Sequence, residues 1–506
     1  MKKVLFLVTL VMAMVFVSVM PALADDPGTG NSDFVIQNID ASAVTVSIDY
    51  YDSLGSNDVL GGTPFTINGH GSQVFQASTL PVGDGWLGSV VVSADKQVAA
   101  ASNLTWQSSH GALDDQTTGG AYSGTYNPGT DLYFPYATVK PAGAIPGKLG
   151  RFSIITVQNA GSGDAHIHMY YYNQTSGAVT GPIDDVIGAG KARSYNLSHT
   201  GAKIPDLGGN WQGSVYVHSD DQPIAGVVTS HWGAQIFQQW GSVYEGVAEG
   251  SQTLYGPSIS RVDRTGQMPV NSWVRFSNLV VMNTGSSAAN VTIQFFETGA
   301  TTAKMTINDT IPPKQMGEYN TRYGSPTNAA YPASAFQSAL GNAFNGSITI
   351  QCTNGQNLAA VVHSFWSQAT ENAASTYTCV PAGATQVYIP FVPRVMLGGA
   401  WMGWAKVAVR NLSASTANLS LQFYNTDGSA AMGALAASIA GNSGDGYNTR
   451  YGSDSGAVPA SAYNALGTSF AGNLAINSSQ PIIAVCNLIF RPLESNTYNA
   501  YVPTAP

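Results

Sequence analysis

Charge is the scarcest property of this chain: Lys, Arg, Asp and Glu together make up 10% of its 506 residues, against about a quarter in an average globular protein. The 20 basic residues form no cluster, and the formal net charge of −9 is spread along the whole length. Nothing here neutralises a run of phosphates, which excludes nucleic-acid binding. Cysteine is nearly absent. The three present, Cys352, Cys379 and Cys486, are too few for a disulfide scaffold and odd in number. Cys352 and Cys379 flank one strand and its loop and are expected to pair, leaving Cys486 as a buried thiol in an apolar strand. Long apolar runs are missing beyond the first, Val4 to Val19. Catalytic signatures are missing too: there is no nucleophile elbow, phosphate loop or zinc-protease helix. Ser443, in Gly441-Asn-Ser443-Gly-Asp-Gly, departs from the elbow pattern and falls in a turn.

The first apolar run follows Lys2 and Lys3 and ends before Ala22-Leu-Ala24. A charged start, a short apolar stretch and small residues two apart read as a secretory signal, so the mature chain is expected to begin at Asp25. At about sixteen residues the run is short for a membrane helix. The expected location is extracellular, at a bacterial cell surface, with no transmembrane segment in the mature chain.

What the chain has instead is a fourfold repeat. An apolar strand ends in Asn38, Asn159, Asn283 and Asn411, and each is followed by a strand ending in paired aromatics, Tyr50-Tyr51, Tyr171-Tyr172, Phe295-Phe296 and Phe423-Tyr424. The Asn spacings of 121, 124 and 128 residues are the size of a small domain, not of a solenoid turn. The second strands alternate apolar and polar residues, as in Val44, Val46, Ile48 and Tyr50, which marks half-buried antiparallel strands. Turn residues follow, as in Asn425-Thr-Asp-Gly428. A second block recurs later in each copy. Trp86-Leu-Gly88, Trp211-Gln-Gly213, Phe344-Asn-Gly346 and Phe470-Ala-Gly472 each open a hairpin that closes near Trp106, Trp232, Trp366 and Phe490.

About seven short strands per copy predict an all-β protein of four tandem two-sheet antiparallel β-sandwiches in a row. The expected boundaries are 25–136, 137–257, 258–391 and 392–506, after a signal peptide at 1–24. Short helices are expected at Ala333–Leu340 and Ala460–Leu466, inserted in units three and four, which also share Tyr-Asn-Thr-Arg-Tyr-Gly at 319–324 and 447–452. Tyr133-Phe-Pro135, Tyr255-Gly-Pro257, Tyr388-Ile-Pro390 and Tyr501-Val-Pro503 join the units, and proline in them predicts edge strands. With hairpins such as Ser219-Asp-Asp-Gln-Pro-Ile-Ala-Gly-Val-Val228, the mature chain resembles the tandem immunoglobulin-like β-sandwich repeats of secreted and surface-exposed bacterial proteins. That resemblance implies an architecture and a location, and no activity.

Most of the nine Trp residues recur at shared repeat positions or alternate with Phe, as core packing requires. Trp240 alone falls outside the pattern and is the candidate glycan platform. His166 and His168 share the polar face of one strand, with His218 on another, a set that fits zinc or copper. Thr45 and Ser47 hold the matching places in unit one, which reads as solvent-facing. The pairs Asp114-Asp115, Asp184-Asp185 and Asp220-Asp221 are expected in turns and lack the alternating ligands of a calcium loop. Calcium at an inter-domain turn stays open, and no other cofactor is implied.

The expected function is non-enzymatic: a secreted or cell-surface structural protein that self-associates or joins other surface components. Only Asp25 to Ser32 precede the first strand of unit one, while Asn499 to Pro506 reads as a leftover opening strand. Tyr498, Tyr501, Val502 and Pro503 are therefore the expected assembly strand of a head-to-tail filament. A glycan- or partner-binding adhesin-like module is the alternative, and a secreted hydrolase is a third class.

Overall fold

The computed structural model describes residues 11–15, 29–52, 59–83, 85–107, 117–141, 149–233, 239–263, 273–368, 371–491 and 494–503. It is all-β, with antiparallel sheets in four repeated units. The two helical insertions fall where the sequence places them, an α-helix at Ala333–Leu340 and a 3-10 helix at Ala460–Leu466. No helix among the described residues is long and apolar enough to cross a membrane.

Unit two shows the plan. Its opening strand, Asp131–Pro141, pairs on one side with the Gly strand, Trp211–Ser219, and on the other with the Asn strand, Leu149–Asn159. The Gly strand continues to the second strand, Ala165–Asn173, and the Asn strand to the return strand, Ile224–Gly233, and the closing strand, Gln239–Glu245. The opening strand thus ties both halves into one eight-stranded sheet, and units three and four repeat the order. It keeps the Gly strand as partner across a break in register and meets the Asn strand only beyond that break. The ladder to the Gly strand is interrupted between Phe134 and Ala137, between Gly256 and Ile259, and between Ile389 and Val392. Pro135, Pro257 and Pro390 lie inside these breaks. Proline lacks a donor and fits where the ladder is already interrupted, so these prolines mark bulges within a sheet and not the expected edges.

The same pairing moves the unit boundaries. Asp131–Pro141, Thr253–Asp263 and Ala384–Leu397 bond to the unit that follows them, although the divisions after 136, 257 and 391 gave their Tyr-x-Pro motifs to the unit before. Tyr501 is a different element. It bridges Tyr388 as Val247 bridges Tyr133 and Val380 bridges Tyr255, so it closes unit four and is no leftover opening strand.

The landmark Asn has a constant job. In units two to four its Nδ2 donates to the carbonyl four residues on, Gly163, Ser287 or Ser415, and to Ile187, Ile311 or Ile439 at the end of the third strand. Its Oδ1 accepts the N–H two residues on. Asn38 does the same with Ser42, Ile67 and Asp40. All four are fully buried, so one carboxamide satisfies backbone groups that a loop end would otherwise leave orphaned. The aromatic-x-Gly block is equally physical. A Cβ on Gly88, Gly213, Gly346 or Gly472 would stand 2.1, 1.9, 1.9 or 2.2 Å from the carbonyl oxygen of Tyr51, Tyr172, Phe296 or Tyr424. The ring two residues earlier covers the same spot, leaving room for no side chain.

Arg261 and Arg394 belong to the inserted helices. Arg261 donates to the Gly341 carbonyl and Asn342, and Arg394 to the Gly467 carbonyl and Asn464. A cation at a helix C-terminus offsets its orphan carbonyls, which accounts for an Arg in units three and four and Lys140 in unit two.

The expected row of domains is instead a closed ring. The closing strands Thr117–Ser123, Gln239–Glu245, Glu371–Thr378 and Glu494–Asn499 pack in cyclic order, first on second, second on third, third on fourth and fourth on first. Unit four therefore covers unit one.

Candidate functional site

Each unit meets the next through one turn. Just before the short strands Ser72–Phe75, Ala192–Asn196, Met316–Asn320 and Gly444–Asn448, each unit carries a residue with positive φ: His70 at 59°, Gly190 at 72°, Lys314 at 61° and Asn442 at 57°. Gly and Asn adopt this backbone readily, whereas His and Lys do so at a cost. In three of the four interfaces the bend aims a carbonyl at the preceding unit, where the residue after the aromatic-x-Gly glycine receives it. Ser89 Oγ donates to Gly190 O at 2.7 Å and Ser214 Oγ to Lys314 O at 2.5 Å. Asn473 Nδ2 donates to His70 O at 3.0 Å, which is the contact that shuts the ring. Ser347 stands against Gly444 in the remaining interface.

Around this shared contact each interface has its own chemistry. Between units one and two, Trp106 meets His231 edge-on at 4.8 Å. Between two and three, the buried Glu318 carboxylate accepts from Gln174, Gln212 and Asn278 at 2.8, 2.6 and 2.8 Å. Between three and four, Arg410 lies over Phe296 and Tyr255 and donates to Thr349 Oγ1. Burial away from any carboxylate lowers its pKa to about 10. Between four and one, His70 stacks on Tyr424 at 4.7 Å and Gln37 donates to Asn473. The Asn425–Gly428 turn also docks here, with Thr426 O accepting from Ser72 N.

On the axis the four closing strands end in a cycle of hydrogen bonds. Ser123 Oγ donates to Asn499 O, Asn499 Nδ2 to Thr378 O, and Thr378 Oγ1 to Glu245 O, at 2.7, 3.0 and 3.0 Å. The Glu245 carboxylate completes it by accepting the Ser123 N–H at 2.5 Å. Burial pushes the Glu245 carboxyl up to about 7, against the pull of that N–H. One repeat position therefore carries Ser, Glu, Thr and Asn, all chosen for reach to a neighbouring carbonyl or amide. Nearby, His363 bonds Thr376, which bonds Ser242 of unit two. Apolar burial takes His363, and also His231, down to about 3.

The residues singled out from sequence fall elsewhere. Glu494–Asn499 pairs with the return strand of its own unit, Tyr498 is buried and its hydroxyl donates to Phe391 O, and Tyr501 bridges Tyr388. Val502 packs on the same core, with Pro503 beside it. Trp240 is no open platform, because it pairs with Trp232 and its ring rests on Phe365 of unit three at 5.4 Å. Cys352 and Cys379 are free and buried. Three strands lie between the one that Cys352 ends and Glu371–Thr378, which Cys379 follows, and Cys352 donates to Asn354 instead; burial raises the Cys379 thiol.

His166 is exposed and pairs with Asp221 at 2.6 Å, while His168 lies between Asp184 and Asp220 at 2.7 and 3.0 Å. His218 bonds Asp131 at 2.9 Å. These side chains pair with one another, and among the described residues no group of three His, Cys, Asp or Glu converges to hold a metal. Asp184 and Asp185 sit in the strand Val179–Ile187, not a turn, where Asp185 takes both oxygens to Arg193. Asp114 and Asp115 lie outside the described residues. A cleft of about 300 Å³ between units two and three, edged by Asp131, Tyr133, Glu249, Thr284 and Gln356, opens beside this strip.

No protein-family model matches the chain, and no curated protein matches it. Among solved structures, the Anabaena sensory rhodopsin transducer is 18% identical over 20% of this chain and 95% of its own, with a TM-score of 0.17. The Thermotoga maritima 1070 crystal structure is 16% identical over 24% of this chain and 97% of its own, with a TM-score of 0.20.

Proposed function

We propose that this chain is an exported, non-enzymatic structural protein that works as a single closed ring, a scaffold at the bacterial cell surface related to tandem immunoglobulin-like repeats. The observation that carries the reading is the contact of unit four with unit one. His70, Asn473, Gln37 and Tyr424 occupy there the places that join the other units, so the chain satisfies its own ends. The buried polar groups support the same reading. Glu318, Ser214 and the Ser123–Asn499–Thr378–Glu245 cycle join units to one another, and the buried histidines lie against aromatic rings, with His363 tied through Thr376 to Ser242 of unit two.

The expected strand-donated filament does not suit this geometry, since Glu494–Asn499 is held by its own unit and by the axis. Light scattering on protein comprising residues 25–506 tests the reading. One chain per particle is expected across the concentration range, and chains of particles lengthening with concentration would overturn it.

A further inference from the structure

The Gly strand has two neighbours in units two to four, the second strand on one side and the opening strand on the other. Against the eleven residues of the opening strand in unit two, unit one has only four between Ala24 and its Asn strand, which starts at Thr29. Its Gly strand, Gly88–Ala94, pairs with Val44–Asp52 on one side. On the other, among the described residues, only Val11–Val15 pairs with it, from Val11 opposite Ala94 to Val15 opposite Val90. Those five residues belong to the run that the sequence assigns to the cleaved signal. Processing after Ala24 takes away the strand that fills this place.

We propose that export opens a strand-acceptor slot in unit one, along the edge Val90 to Ala94, and that it takes an extended segment of a partner polypeptide with apolar residues at alternate positions. The slot is built for such an occupant. Its wall is core: Val90, Val92 and Ala94 are buried with Phe34, Ile36 and Val46, and an unpaired edge presents a row of free N–H and C=O groups. Three copies of the bound state exist in the same chain. Leu132 and Phe134, Leu254, and Val387 and Ile389 are the buried residues of the opening strands at this place. Among the described residues neither this chain nor a second copy has a strand to spare, because all three opening strands and the closing strand Glu494–Asn499 are paired in their own units. The occupant is therefore another protein. This inference rests on the export reading above.

The probe is a fluorescent synthetic peptide of residues 131–139, added to protein comprising residues 25–506, with a scrambled peptide as control. Saturable one-to-one binding is expected by anisotropy, together with fast amide exchange at residues 89–94 that slows when the peptide binds. The unprocessed chain is expected not to bind. Absence of binding, amides already protected without peptide, or dimers formed through this edge would each overturn the slot. Sequencing the N-terminus of the exported protein separates the two claims: a start at Asp25 is expected, and a start ahead of Val11 overturns the processing on which the slot depends.

Discussion

Asn283 holds the Ser287 and Ile311 carbonyls and the Gly285 amide with one buried side chain, so its loss strands three backbone groups at once. At about 1–3 kcal/mol for each buried group left without a partner, Asn283→Ala is expected to destabilise unit three by about 3 kcal/mol or more. The midpoint of a urea titration followed by Trp fluorescence checks this, with Asn290→Ala, on an exposed strand face, as the control. Glu245 gives a second test at this scale, with a definite sign. Its folded pKa of about 7 lies above the ordinary glutamate value. Between those values the folded chain holds a proton that the unfolded chain has released, so stability falls as pH rises through that window. Glu245→Gln is expected to remove the loss, on the order of 2–3 kcal/mol by pH 8, and to change little at pH 4. His231 and His363 act in the opposite direction. Held down to about 3, they stay neutral in the fold, and the stability they contribute is lost as pH falls below about 6.5. Thermal melts of Glu245→Gln and the parent at pH 4, 6 and 8 separate the two effects.

Among the elements, the strands and hairpins are legible in sequence because their chemistry is local. Alternation along Val44 to Tyr50 marks a face, and the aromatic-x-Gly block marks the start of a hairpin. The opening strand is harder to read. Whether Tyr-x-Pro ends one unit or begins the next depends on hydrogen bonds to residues some eighty positions away, and proline at an internal bulge looks like proline at an edge. Pro257→Ala is accordingly expected to change stability by no more than about 1 kcal/mol, since no ladder bond is made there. Gly346→Ala differs. Its Cβ, 1.9 Å from Phe296 O, must push apart a pair of bonded strands, at about 3 kcal/mol or more. Denaturation midpoints of the two variants are expected to differ in that order.

At the scale of the whole molecule the period is plain in the sequence and the closure is not. Most contacts between units run from short polar side chains to backbone carbonyls, and the turns that meet the preceding unit carry four different residues, His70, Gly190, Lys314 and Asn442. A position filled by His, Gly, Lys and Asn has no common side-chain chemistry; what it shares is a backbone conformation. The axial position, filled by Ser123, Glu245, Thr378 and Asn499, is similarly unmarked. Composition hints at this outcome only afterwards, in that a chain poor in charge and rich in Ser, Thr and Asn has the side chains to join units through neutral hydrogen bonds. The ring and the row differ most in size. Small-angle X-ray scattering of residues 25–506 reads that directly: the closed ring predicts a radius of gyration near the compact limit of about 23 Å for a chain of this length. A value of about 40 Å or more, as four units of this size in a line would give, would contradict it.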